Sequence, residues 1–207
     1  MLAFISRAFL TLFVVLDPIG LVPIFITLAG HHSPKVQMRI IRQAILVAAA
    51  ILFSFALFGN ALLRYLGISV EAFQVSAGIL LLKIAVDMVF AQRERETKAE
   101  EAEAQVRTDI SVFPLGTPLI AGPGALASIL ILQNEATAYP LGTGLILGII
   151  AFVLLLLYVS LAIAKYLTSW LGQTGINVIS RVLGILLAAL AVQYIINGVL
   201  ALIKATF

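Results

Sequence analysis

The sequence contains no cysteine, which excludes disulfides, thiolate metal sites and a cysteine nucleophile. Its two histidines, His31 and His32, sit together in a predicted loop beside Ser33 and Pro34, a pattern that resembles a metal site only weakly. Charge is also scarce. Asp, Glu, Lys and Arg make up 11% of the 207 residues, and the formal net charge of +3 is too small and scattered to form a nucleic-acid surface. Gly122-Pro123-Gly124 lacks the Lys-Ser/Thr ending of a phosphate loop. Nothing in the sequence implies a cofactor or a resident metal. What is abundant is apolar surface: 62% of residues are hydrophobic and the mean hydropathy is +1.13, a composition suited to lipid.

About 20 apolar residues cross a bilayer as a helix. By that measure, spans are predicted near residues 7–29, 44–66, 71–91, 110–133, 140–164 and 181–203. The first is apolar from Ala8 to Ala29, too long for a signal-peptide core and without a small-residue cleavage site, so it reads as a retained span. No lipidation motif is visible, so the chain is expected to span the bilayer rather than be anchored to it. Residues 92–109 are too charged for lipid and read as a solvated cytoplasmic linker. Lysine and arginine fall unevenly between the two sides. Lys35, Arg39, Arg42, Arg93, Arg95, Lys98, Arg107, Lys165 and Arg181 lie on one, and Arg7, Arg64 and Lys204 on the other. Nine against three predicts that the first side is cytoplasmic and that both termini lie outside.

The chain also repeats itself. Gly78-Ile-Leu-Leu-Leu-Lys-Ile-Ala-Val-Asp87 and Gly184-Ile-Leu-Leu-Ala-Ala-Leu-Ala-Val-Gln193 agree at six of ten positions, 106 residues apart. Pro18 matches Pro123, and Arg64-Tyr65-Leu66 matches Lys165-Tyr166-Leu167, in nearly the same register. Each half holds three spans, an odd number, so the second half enters the membrane from the opposite face. The expected fold is an all-α integral membrane protein of six transmembrane helices. These form two inverted three-helix repeats, residues 1–91 and 110–207, joined by the 92–109 linker into one membrane domain over 1–207.

Two spans carry helix breakers at their centres. The first holds Asp17-Pro18-Ile19-Gly20-Leu21-Val22-Pro23; the fourth holds Pro118-Leu119-Ile120-Ala121-Gly122-Pro123-Gly124. Proline lacks an amide hydrogen and collides with the carbonyl four residues earlier. Pro18 and Pro23 are therefore predicted to free the carbonyls of Val14 and Ile19, and Pro118 and Pro123 those of Pro114 and Leu119. Unpaired backbone groups in lipid cost several kcal/mol each, so such breaks persist only where protein or a water-filled cavity satisfies them. Paired breaks near the midplane point to a transport site. Half-helix N-termini attract an anion, while freed carbonyls and the Asp17 carboxylate take an ammonium or a cation. Gly20, Gly122 and Gly124 let a ligand approach the backbone. A small zwitterion fits. The plainer alternative is a pair of kinks filled by neighbouring side chains, with Asp17 capping the half-helix that Pro18 begins.

The Asp17-Pro18-Ile19-Gly20-x-x-Pro23 and Pro118-x-x-Ala121-Gly122-Pro123-Gly124 segments, with the closing Ile179-Ser180-Arg181-Val182-Leu183-Gly184 run, resemble the MarC family over essentially the whole chain. That family includes the SnatA-type small neutral amino acid transporters of the bacterial inner membrane. The resemblance implies a transporter of glycine, alanine or a similar amino acid, coupled to the proton gradient or another cation. The site would lie between the first and fourth helices, with Asp17, Pro18, Gly20, Pro23, Gly122, Pro123 and Gly124 around the substrate. Leu21 stands where many members have asparagine.

The remaining polar residues are weaker candidates. Lys83 and Asp87 share a helix face and can pair; Asp87, near the cytoplasmic end, either snorkels or, with Lys83, lines an inward access path. Gln193 and Asn197 read as interhelical hydrogen bonders, with Gln193 kept as a site candidate because it matches Asp87 across the repeat. Gly144-x-x-x-Gly148, and Ser54 with Gly59, read as close-packing positions. Other functional classes are an exporter of amino acids or another small metabolite resembling the LysE-type exporters, a non-transport membrane subunit, and an ion channel. An intramembrane enzyme is not expected: no span holds a histidine and only one carboxylate lies at the predicted midplane.

Overall fold

A computed structural model describes residues 1–90 and 110–206; the predicted 92–109 linker lies outside the described residues. Within them the chain forms eight helical segments and no strand. These are α1 (Leu2–Leu16), α2 (Leu21–Ala29), α3 (Pro34–Tyr65), α4 (Val70–Val89), α5 (Ser111–Ile120), α6 (Pro123–Ala136), α7 (Gly142–Ala162) and α8 (Ala164–Thr206). Five helices are long and apolar enough to cross a membrane, counting Leu2–Ala29 as one, and the bent pair of α5 and α6 makes a sixth.

Local chemistry sets the ends of these elements. Pro34 occupies the first turn of α3, where its missing N–H costs nothing. Ser69 caps α4, its hydroxyl accepting the Ala72 N–H at 3.2 Å. Gln37 reaches back from α3 to donate to the Ala29 and His32 carbonyls at 3.0 and 2.9 Å, closing the end of α2. Two helices run beyond the apolar spans predicted for them. α3 begins ten residues before position 44, because Lys35, Gln37, Arg39 and Arg42 are good helix formers that carry it past the apolar stretch. α8 begins at Ala164 rather than near 181, since nothing from 164 to 180 is a proline. Only Gly172 interrupts it, with φ 65° and ψ 169°, a conformation that favours glycine. The turn before Gly172 leaves Tyr166 and Trp170 exposed, as is Tyr65 at the end of α3.

The most extensive pairing is α4 against α8. Gly78 packs on Ala191 and Ile195, and Gly184 packs on Ala85, Met88 and Val89, so the two helices run antiparallel. A Cβ at Gly78 would lie 2.8 Å from the Ala191 carbonyl oxygen, and one at Gly184 would lie 3.1 Å from that of Ala85. α3 packs on α5 and α7, and α1 on α7 and α6. Gly59 admits Leu130 of α6 against α3, as its predicted packing role requires, whereas Ser54 is exposed and donates to the Ala50 carbonyl of its own helix. The outward faces are apolar: Phe58, Leu46 and Ile185 are 67%, 62% and 60% exposed. Such a surface would drive aggregation in water and costs nothing against acyl chains.

Gly144 and Gly148 correct one expectation. A Cβ at either meets nothing within 4 Å among the described residues, because both face outward from α7. Gly144→Leu and Gly148→Leu are accordingly expected to leave the melting temperature of the detergent-solubilised monomer unchanged or slightly raised, since each removes a helix-weakening glycine. A clear fall would place a helix against that face.

Candidate functional site

α1 stops at Asp17, which adopts the left-handed conformation with φ 44° and ψ 66°. Aspartate is among the few side chains that tolerate this region. Its N–H still closes α1 on the Phe13 carbonyl at 3.0 Å, but Pro18 has no hydrogen to return to Val14. The chain then turns tightly. The Asp17 carbonyl accepts from Leu21 N–H and the Ile19 carbonyl from Val22 N–H, both at 3.1 Å. This last bond corrects the expectation that Pro23 frees the Ile19 carbonyl: a three-residue turn takes the place of the helical bond that Pro23 cannot make. The Asp17 side chain folds into the turn and is buried, with the residue 1% exposed. Its Oδ1 accepts the Gly20 N–H at 3.0 Å and its Oδ2 accepts the Ser180 hydroxyl of α8 at 3.3 Å.

The second interruption is broader than predicted. Phe113 and Thr117 take extended angles, at φ −132°, ψ 129° and φ −145°, ψ 132°. Each precedes a proline, whose ring pushes the preceding residue out of the helical region. At its two ends backbone bonds reach five residues back, from Leu115 to Ile110 and from Ala121 to Gly116. α6 then starts afresh at a bend of 50°, with Gly122 extended and Pro123 in the first turn. Leu126 N–H bonds the Gly122 carbonyl; the amides of Gly124 and Ala125 have no carbonyl one turn earlier within the helix.

The two interruptions meet. A Cβ on Gly124 would stand 3.5 Å from Val15 Cγ1, 3.3 Å from Leu81 Cδ2 and 2.5 Å from Ile84 Cδ1. The carbonyl end of α1 thus adjoins the amide end of α6, two opposite partial charges side by side. Gly20 is equally confined, since a Cβ there would lie 1.9 Å from Asp17 Oδ2 and 2.6 Å from Ser180 Oγ.

Not every predicted site residue comes to this junction. Gly124 lies at it, directly after Gly122 and Pro123; Asp17, Pro18 and Gly20 form the turn that follows α1, and Pro23 lies in the first turn of α2, its carbonyl accepting the Thr27 hydroxyl. Lys83 donates to Asp87 at 3.0 Å, as their spacing allows, but the Lys83 side chain is 60% exposed while Leu81 and Ile84 turn toward Gly124. Gln193 is exposed and donates to Asn197 of its own helix at 2.8 Å; its neighbour Tyr194 points inward. Ser180, Leu81, Ile84, Thr11 and Tyr194 are not among the candidates the sequence suggests, although Ser180 lies in the Ile179–Gly184 run and Leu81 and Ile84 in the Gly78–Asp87 repeat.

An all-helical bundle with five or six long apolar helices and an apolar outer surface is a multi-pass integral membrane protein. The chain belongs to the MarC family of integral membrane proteins, whose profile matches residues 2–203. A UPF0056 membrane protein of Methanocaldococcus jannaschii is 38% identical over 96% of this chain and 97% of its own length. The UPF0056 membrane proteins YhcE of Escherichia coli and YvbG of Bacillus subtilis are 33% and 34% identical, over 93% and 96% of this chain and 90% and 95% of theirs. No solved structure matches the chain.

Proposed function

We propose that this protein is a secondary transporter of small neutral amino acids, without enzymatic activity, working by alternating access between two inverted repeats. The observation that carries the reading is that the end of α1, closed by the buried Asp17, adjoins the start of α6. The amides of Gly124 and Ala125 suit a carboxylate; Asp17 and the last carbonyls of α1 suit an ammonium. The side chains set against Gly124 are the apolar Ile84, Leu81 and Val15, which suits a small neutral solute better than a charged one. Protonation of Asp17 would supply the coupling.

The α4–α8 seam supports the inverted repeat. Gly78 meets Ala191 and Ile195, and adding or subtracting 106 turns these contacts into Gly184 meeting Ala85 and Val89. Reciprocal contacts of this kind are the mark of a two-fold relation. Between antiparallel helices of one chain, such an axis lies in the membrane plane, and its centre falls beside Leu81, which touches Gly124. The junction then sits at the bilayer midplane, with the termini on the non-cytoplasmic side of a bacterial inner membrane, as the lysine and arginine count requires.

The test is binding of glycine and alanine by the purified protein, read by calorimetry or thermal shift, with lysine, glutamate and leucine as controls. Small neutral amino acids alone are expected to stabilise it. Asp17→Asn keeps the Gly20 bond but removes the charge, and is expected to lose at least about tenfold in affinity, the worth of one charge-assisted hydrogen bond. Equal binding by Asp17→Asn would remove Asp17 from the site.

A further inference from the structure

Between the junction and one end of the bundle runs a seam of polar side chains with no assigned role. α1 and α6 are joined at the junction by Val15 and Gly124, and near their other ends by the ion pair of Arg7 with Glu135. Phe4 stacks on Tyr139 at the same end, with ring centroids 4.8 Å apart. Thr11 of α1 and Ser128 of α6 fall between those two rungs, and Tyr194 of α8 stands against Thr11, within electrostatic reach of Arg7 and Glu135. Thr11, Ser128 and Tyr194 are 0%, 0% and 3% exposed; the Thr11 and Tyr194 hydroxyls face each other, and that of Ser128 has no hydrogen-bond partner among the described residues.

Three hydroxyls buried on three helices are expensive if they serve only as packing. Ser128 carries the desolvation cost of an unmade hydrogen bond, and Thr11 with Tyr194 that of burying two polar groups for one, which alanine, valine or phenylalanine in the same places would not. A seam that periodically admits polar groups explains them. We propose that Thr11, Ser128 and Tyr194 form a second polar station, taking the ammonium and carboxylate groups of a small zwitterion on its way between the junction and the Arg7 end, and that the Arg7–Glu135 pair with the Phe4–Tyr139 stack is the gate closing that route. The identity of the solute rests on the proposed function; the route and the gate do not. The packing fits a closed gate at this end: α1 lies along α6 here, while α2 packs mainly on α8 and α7, and α5 on α3.

The absence of cysteine makes the test direct. Ser128→Cys and Thr11→Cys are made in the otherwise unchanged chain, and sealed vesicles are treated with a membrane-impermeant methanethiosulfonate from either side. With the ion pair intact, labelling at both positions is expected to be slow. Adding Glu135→Gln is expected to speed labelling about two- to fivefold from the side bearing Arg7, the shift a partly exposed ion pair supports. Combining Arg7→Glu with Glu135→Arg is expected to restore slow labelling. Leu52→Cys, at a fully buried core position, should stay protected in each background and so separates gate opening from unfolding. Labelling rates that ignore Glu135→Gln, or labelling only from the opposite side, would overturn the proposal. Because no substrate is added, a failure here leaves the amino acid binding result untouched, and the reverse holds as well.

Discussion

Gly78→Leu is expected to be among the most destabilising single substitutions this chain can carry outside the Asp17 turn. The atom that a Cβ would meet, 2.8 Å away, is the backbone carbonyl oxygen of Ala191. A crowded side chain can change rotamer; a helical carbonyl cannot move without shifting α8. Overpacking of this kind costs about 3 kcal/mol, or about 10 °C in melting temperature for a domain of this size. Gly184→Leu meets the Ala85 carbonyl oxygen at 3.1 Å and should cost a similar amount. The check is thermal unfolding in detergent, with Gly144→Leu as the control on an open face. If Gly78→Leu melted with the wild type while Gly184→Leu did not, the reciprocity of the seam would be wrong.

Gly20→Val is expected to abolish substrate binding. Its Cβ would stand 1.9 Å from Asp17 Oδ2 and 2.6 Å from Ser180 Oγ, so the carboxylate has to leave its place. Leaving breaks its bonds to the Gly20 N–H and the Ser180 hydroxyl together. Two bonds to a charged group contribute about 1.5–3 kcal/mol each, which corresponds to an affinity loss of at least about 100-fold. Ser180→Ala removes one of the two and should cost about tenfold. Calorimetric titration of glycine into the three proteins reads this order. Full-strength binding by Gly20→Val would mean that the Asp17 carboxylate is not positioned by this turn.

The turn at Asp17 was legible because its cause is covalent. Pro18 cannot donate to Val14 in any fold, and the Gly20 beside it announces a close approach. The second interruption was only half legible. Pro118 and Pro123 signal the carbonyls they free, but the residues bent most are Phe113 and Thr117, each displaced by the ring that follows it. Pro114, the first of the series, enters that argument only as an acceptor. Gln193 drew attention as a polar residue in an apolar helix matching Asp87. Yet a glutamine four residues before an asparagine satisfies itself along its own helix, and the inward position belongs to Tyr194. Thr11 and Ser128 were invisible for a related reason: a lone hydroxyl in a span is ordinary until the helix opposite is known. Gly144 and Gly148 have the spacing of a packing motif, but spacing does not say which face of α7 meets a neighbour.

Tyr65 is 88% exposed at one end of α3, and Tyr166 and Trp170 are 78% and 83% exposed in the turn before Gly172. In the proposed topology these rings belong to opposite leaflets, where amphipathic aromatics settle at headgroup level. They act as two fixed floats whose separation along the normal is set by the protein, not the lipid. A bilayer of mismatched thickness then has to tilt the helices or yield around them.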